Sequence, residues 1–221
     1  MPLTVAAVSF DADDTLWDFD SGFRPAMEHA VRRLREALGV ARTPAELEAV
    51  REEMTLAMPG AGYAAARRAS FVETVRRAGG APGLGDAVYE EFVGVRAEAT
   101  RLFPETREVL AELGARLPLA LTTNGTADLA WFGLQDVFAV VTRGAECGVH
   151  KPDPGIYRVT AQRLAVPVGA VLHVGDHPLE DVDAARAAGM QAVLLDRTGA
   201  AAGAIDTLTA LLDLVGGAGR P

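Results

Sequence analysis

"LTVAAVSF" (residues 3–10) runs directly into "DADDTL" (residues 11–16). Aliphatic and small residues follow one another almost without a break, and then acids crowd together. An apolar run of this length, with no polar alternation, reads as a parallel strand buried on both faces.

The pattern recurs along the chain. "LPLALTT" (117–123) ends at Asn124-Gly125, and "VFAVVT" (137–142) at Arg143-Gly144. "AVLHVG" (170–175) ends at Asp176, and "QAVLLD" (191–196) at Arg197. Helical patterns lie between these runs. "PETREVLAELGARL" (104–117) opens with Pro104 at a first helical position and gathers Val109, Leu110 and Leu113 on one face. "PLEDVDAARAAGM" (178–190) opens at Pro178 and stops near Gly189. Strands alternating with helices predict an α/β fold with a doubly wound, Rossmann-like parallel sheet.

Residues 18–100 break the alternation. "FRPAMEHAVRRLREALG", "TPAELEAVREEM", "AAARRASFVETVRRAGG" and "DAVYEEFVGVRAEATR" read as successive helices with no strand among them. The expected organisation is therefore an α/β core of residues 1–17 and 101–221 with an inserted all-helical domain at 18–100. "GGAPGLG" (79–85) follows a helix rather than a strand, so it reads as a turn and not a phosphate loop. The tail "VGGAGRP" (215–221) is expected to fray.

The chain has 221 residues, of which 49% are hydrophobic and 23% charged, enough for a sizeable core in a soluble globular protein. A net charge of −9 argues against nucleic acid as the main partner. No apolar run is long enough to cross a membrane. The start "MPLTVAAVSFDADD" lacks the basic region of a signal peptide. The single cysteine, Cys147, cannot form an internal disulfide, and a cytoplasmic setting fits it. A monomer or a homodimer is expected.

Ligands of open α/β sheets bind at the carboxyl ends of the strands. Here those ends carry Asp11, Asp13, Thr123, Asn124, Gly125 and Asp176, with Glu180, Asp181 and Asp183 close behind. Lys151 follows the third strand. It is the only lysine among 21 Lys and Arg residues. Carboxylates packed together repel, and a divalent cation relieves them; an all-oxygen set suits Mg2+. A carboxylate in such a site is a candidate nucleophile toward phosphorus. Thr123 and the backbone N–H groups of Asn124 and Gly125 are then candidates to hold phosphoryl oxygens, with Lys151 adding positive charge.

"FDADDTL", "LTTNG", "KPDP" and "VGDHPLEDV" together resemble the four ordered motifs of the haloacid dehalogenase superfamily, in particular its Mg2+-dependent phosphatases. The resemblance runs from about residue 5 to 195. It implies hydrolysis of a small phosphorylated metabolite through an aspartyl-phosphate. In that scheme Asp11 is the nucleophile and Asp13 the general acid and base. Asp11, the Asp13 carbonyl and Asp176 hold the metal, and Asp181 orients water or Lys151 behind them. Thr123 and Lys151 bind the phosphoryl group. The insert becomes a cap, and the 28 positions from Thr123 to Lys151 leave no room for a large second one. The family often has glycine after the second aspartate, where this chain has Asp14.

Alternatives within the same scheme are a sugar phosphomutase and a metal-free 2-haloacid dehalogenase, which has no need of Asp13. A signalling receiver domain also uses aspartates, a Thr and a Lys, but is shorter and lacks the insert. Trp17, Phe19 and Gly22 stand where the chain enters the insert, either lining an entry or packing there. Arg67, Arg68, Arg76 and Arg77 read as solvated faces, His29, His150 and His177 as surface residues, and His173 as a hydrogen-bonded core histidine.

Overall fold

The computed structural model describes residues 5–215; the segment 216–221, and with it most of the expected frayed tail, lies outside them. The core sheet has five parallel strands: β1 (Ala7–Phe10), β2 (Leu119–Thr123), β3 (Val140–Arg143), β4 (Val171–Gly175) and β5 (Gln191–Leu194). Their spatial order is β3-β2-β1-β4-β5. The chain winds outward from β1 on one side, then returns to wind outward on the other. β1, β2 and β4 are buried throughout, as their unbroken apolar character requires.

Side chains alternate across the sheet, so β1 serves two apolar layers. Val8 and Phe10 pack with Val109, Leu110, Leu113 and Leu211 on one face. Ala7 packs with Ile156, Tyr157, Ala161 and Ala185 on the other. Both faces are covered, which makes the sheet doubly wound.

By its internal contacts the chain divides into two compact units, one running to Asp18 and resuming at Leu102, the other Phe19–Arg101. The second unit is built from α1 (Phe19–Leu38), α2 (Pro44–Ala57), α3 (Gly62–Arg77) and α4 (Leu84–Ala99). Its own core contains Met27, Leu34, Leu47, Phe71, Val75, Val88 and Phe92. α2 starts where its sequence demands. The Thr43 hydroxyl accepts the Glu46 N–H, the Glu46 carboxylate accepts the Thr43 N–H, and Pro44 opens the helix. The "GGAPGLG" segment supplies the turn between α3 and α4 and the first two residues of α4. Gly85 lies so close to α3 that a Cβ there would come within 2.4 Å of the Val72 Cα.

Several expectations need correction. Arg67 is not solvated: it is 7% exposed, pairs with Glu48 at 2.5 Å and lies over the rings of Phe23, Phe71 and Phe92. Aromatic faces and a carboxylate together compensate for the buried charge. Arg68, Arg76 and Arg77 do sit at the surface, in ion pairs with Asp86, Glu73 and Glu53. Trp17 lines no entry; it is 1% exposed and stacks on Phe132. The segment after β4 is not one α-helix. Pro178–Asp183 forms a π-helical turn, followed by a short α-helix, Ala184–Ala188.

Candidate active site

The winding direction reverses between β1 and β4, and the crevice at such a switch point is where open α/β sheets bind ligands. Asp11 follows β1 and Asp176 follows β4. The sequence therefore places two carboxylates at the fold's natural binding position.

Lys151 reaches this point from the loop after β3. Its Nζ donates to Asp11 Oδ1 at 2.6 Å and to Asp181 Oδ1 at 2.5 Å, and its side chain is almost wholly buried. The backbone of Lys151 is clamped by one side chain: Asn124 Oδ1 accepts its N–H at 3.0 Å and Asn124 Nδ2 donates to its carbonyl at 3.1 Å. Asn124 thus couples the loop after β2 to the lysine. The Tyr157 ring lies 5.9 Å from Nζ. Burial works against the Lys151 charge, but Asp11 and Asp181 outweigh it and hold the ammonium above its ordinary range.

The carboxylates differ sharply from one another. Burial pushes Asp11 well above the usual carboxylate range, with Asp181 and Asp176 adding repulsion against the pull of Lys151. Burial also raises partly exposed Asp176, to about 6, helped by Asp181 and Asp14. Asp181 is buried too, yet Lys151 and the His173 hydrogen bond hold it below the usual range. It additionally accepts the His177 N–H at 3.0 Å. The π-turn brings Asp181 back over β4, where Gly175 is required: a Cβ there would lie 2.2 Å from the Asp181 Cγ.

Asp13 and Thr123 meet at the end of β2. A Cβ built on Gly125 would sit 2.8 Å from Asp13 Oδ2 and 3.0 Å from Thr123 Oγ1. The Gly125 N–H donates to Thr123 Oγ1 at 2.8 Å. Asp14 holds φ 58°, left-handed backbone that glycine adopts freely and aspartate tolerates. Its N–H bonds the Trp17 carbonyl at 2.8 Å, closing the loop.

Four supporting residues escaped the sequence reading. The Trp17 indole donates to Asp13 Oδ1 at 2.7 Å. Arg197 bonds the carbonyls of Thr15 (2.8 Å) and Asp14 (3.4 Å) and lies over the Phe103 ring. Tyr157 donates to the Glu180 carbonyl at 2.5 Å. His173, read only as a core histidine, stands directly behind the site, with Nε2 3.3 Å from Asp181 Oδ1 and Nδ1 3.1 Å from Ser9 Oγ. Burial lowers its pKa to about 4. A run of hydroxyls continues from Ser9 through Thr122 to Thr160. Exposed His177 accepts the Glu180 N–H at Nδ1 and so caps the π-turn.

A family model for haloacid dehalogenase-like hydrolases matches residues 5–189, covering every residue named in this site except Arg197. The chain is a haloacid dehalogenase-like hydrolase. The four helices inserted after β1 are its cap, and its curated relatives are phosphomonoesterases. A phosphoserine phosphatase of Thermus thermophilus is 39% identical over 137 residues, 59% of this chain and 55% of that protein. The 5-amino-6-(5-phospho-D-ribitylamino)uracil phosphatase YigB of Escherichia coli is 30% identical over 209 residues, 85% of this chain and 82% of its own length. Among solved structures, a 2-haloacid dehalogenase from Pseudomonas syringae superposes with a TM-score of 0.82 at 31% identity, covering 96% of this chain and 98% of that one.

The donor set of this hydrolase fits a hard divalent cation. Oxygens of Asp11, Asp176 and Asp181 lie within 4.8 Å of one another. Burial holds two of these carboxyls above their ordinary range, and in each the neighbouring Asp181 adds repulsion that a bound cation would relieve. Asp181 is already bonded to Lys151 and to the His177 N–H, so Asp11 and Asp176 are the side chains best placed to hold the ion.

Proposed function

We propose that this hydrolase is a Mg2+-dependent phosphatase of small phosphorylated metabolites, working through an aspartyl-phosphate on Asp11. The observation that carries the reading is the division of labour between two aspartates two positions apart. Asp11 is gripped by Lys151, whereas Asp13 Oδ2 lies against the Thr123–Gly125 turn.

In this reading a carboxylate oxygen of Asp11 attacks phosphorus. The bond from phosphorus to the ester oxygen breaks as Asp13 gives that oxygen a proton. Asp13, now a carboxylate, takes a proton from water. That water attacks phosphorus and breaks the bond to Asp11, releasing inorganic phosphate. Lys151 holds the Asp11 carboxylate in place, and with Thr123 it binds the phosphoryl oxygens. A bound Mg2+ supplies positive charge against the phosphoryl oxygens. Asp11, the Asp13 carbonyl and Asp176 would hold it, with Asp181 keeping Lys151 in register.

A metal-free dehalogenase reading draws on the likeness to the P. syringae structure. It leaves Asp13 and the clustering of Asp176 with Asp11 without a purpose. The two readings part in one assay. Phosphate release from a panel of phosphomonoesters, dependent on Mg2+ and lost in Asp11→Asn, supports the phosphatase. Halide release from 2-haloacids without metal overturns it.

A further inference from the structure

Asp13 has two carboxylate oxygens, and the protein treats them differently. Oδ1 accepts the Trp17 Nε1–H at 2.7 Å. Oδ2 lies toward the Thr123–Gly125 turn, on the side where a substrate phosphoryl group would bind. The indole cannot swing away. It is 1% exposed, stacked on Phe132 with ring centroids 4.6 Å apart and planes 21° from parallel. Its own backbone is tied to the loop it serves through the Asp14 N–H. Phe132 is buried in turn, and its carbonyl receives an N–H of Arg107.

An indole N–H donates and never accepts. Opposite Oδ1 it leaves no room for a proton on that oxygen directed at the ring, so the indole favours Oδ2 as the oxygen that carries the Asp13 proton. We infer that Trp17 is a positioning residue for the reaction: it orients the Asp13 carboxyl and assigns proton delivery to Oδ2. This rests on the phosphatase reading, in which that proton passes to the ester oxygen as its bond to phosphorus breaks. The same oxygen then takes the proton back from the attacking water. An aromatic core residue that merely filled space would need no donor at this position.

The consequence is selective. A leaving group that departs readily as an anion needs little help from Asp13, whereas an alkoxide needs its proton. Trp17→Phe keeps a ring against Phe132 and removes only the donor; substitution by 3-benzothienylalanine keeps the full bicyclic shape and removes only the N–H. Wild type and both variants would be assayed with Mg2+ for kcat/KM on p-nitrophenyl phosphate and on glycerol phosphate, with thermal melting as a check on folding. We expect kcat/KM on glycerol phosphate to fall about tenfold or more, a part of the roughly 10²–10⁴-fold that general acid catalysis supplies, while that on p-nitrophenyl phosphate changes much less. In an Asp13→Asn background the same substitutions should add little. Equal losses on both esters in a folded variant would overturn the inference, as would no loss on either. If the wild type cleaves neither ester, the comparison is made on an alkyl and an aryl ester that it does cleave from the phosphomonoester panel; if it cleaves none of the panel, the phosphatase reading itself falls and the role of Trp17 with it.

Discussion

Lys151 is one side chain holding two buried carboxylates, and its chemistry explains why arginine does not replace it. A compact ammonium reaches Asp11 Oδ1 and Asp181 Oδ1 together, whereas a planar guanidinium spreads its donors over a wider fork. Lys151→Arg should retain cooperative melting yet lose about a hundredfold or more in turnover; wild-type rates would remove the lysine from the mechanism. Asp176 offers a thermodynamic test. Its folded pKa of about 6 exceeds the ordinary 3.8. The stability it contributes is fully present below that ordinary value and is lost as pH rises through the folded one. In EDTA at about pH 7, Asp176→Asn should therefore be the more stable protein, by about 1 kcal/mol after allowance for partial exposure. The difference should vanish in acid. Added Mg2+ should reverse the order by stabilising wild type alone, as followed by thermal melting. Lys151 was legible because scarcity and its motif pointed the same way. Trp17 and His173 were not, because an indole and a strand histidine carry no polar signal until the fold brings Asp13 and Asp181 to them.

Elements that rest on unbroken or periodic apolar patterns were legible. The five strands and four cap helices arise where burial leaves the chain no other choice. The π-turn at Pro178–Asp183 was not: it carries Asp181 against Gly175, a single close approach that no repeat in the sequence marks. That contact is testable. Gly175→Ala should cost about 1–3 kcal/mol through overpacking. By displacing Asp181 it should also weaken Lys151's hold on Asp11 and lower turnover. A variant with normal stability and turnover would show that the turn tolerates the methyl group. Arg67 was misread for a related reason: arginine patterns as solvent-facing, and only the packed Phe23, Phe71 and Phe92 rings make its burial favourable.

The whole molecule carries two cores with separate memberships, one around the sheet and one within α1–α4. Phe71 is fully buried in the second. Phe71→Ala should destabilise the cap by about 3–5 kcal/mol while leaving Mg2+ binding at the strand ends measurable by calorimetry. Loss of Mg2+ binding would contradict the independence of the two cores. The acidic balance of the chain does not oppose an anionic substrate in the proposed reading, where Lys151 and a Mg2+ held by Asp11 and Asp176 would together supply positive charge at the site. The central claim concerns Asp11. Turnover of p-nitrophenyl phosphate with Mg2+, quenched in acid and digested, should yield a peptide carrying a phosphoryl group on Asp11, absent from Asp11→Asn. Turnover with no phosphoryl group on Asp11, or undiminished in Asp11→Asn, would contradict it.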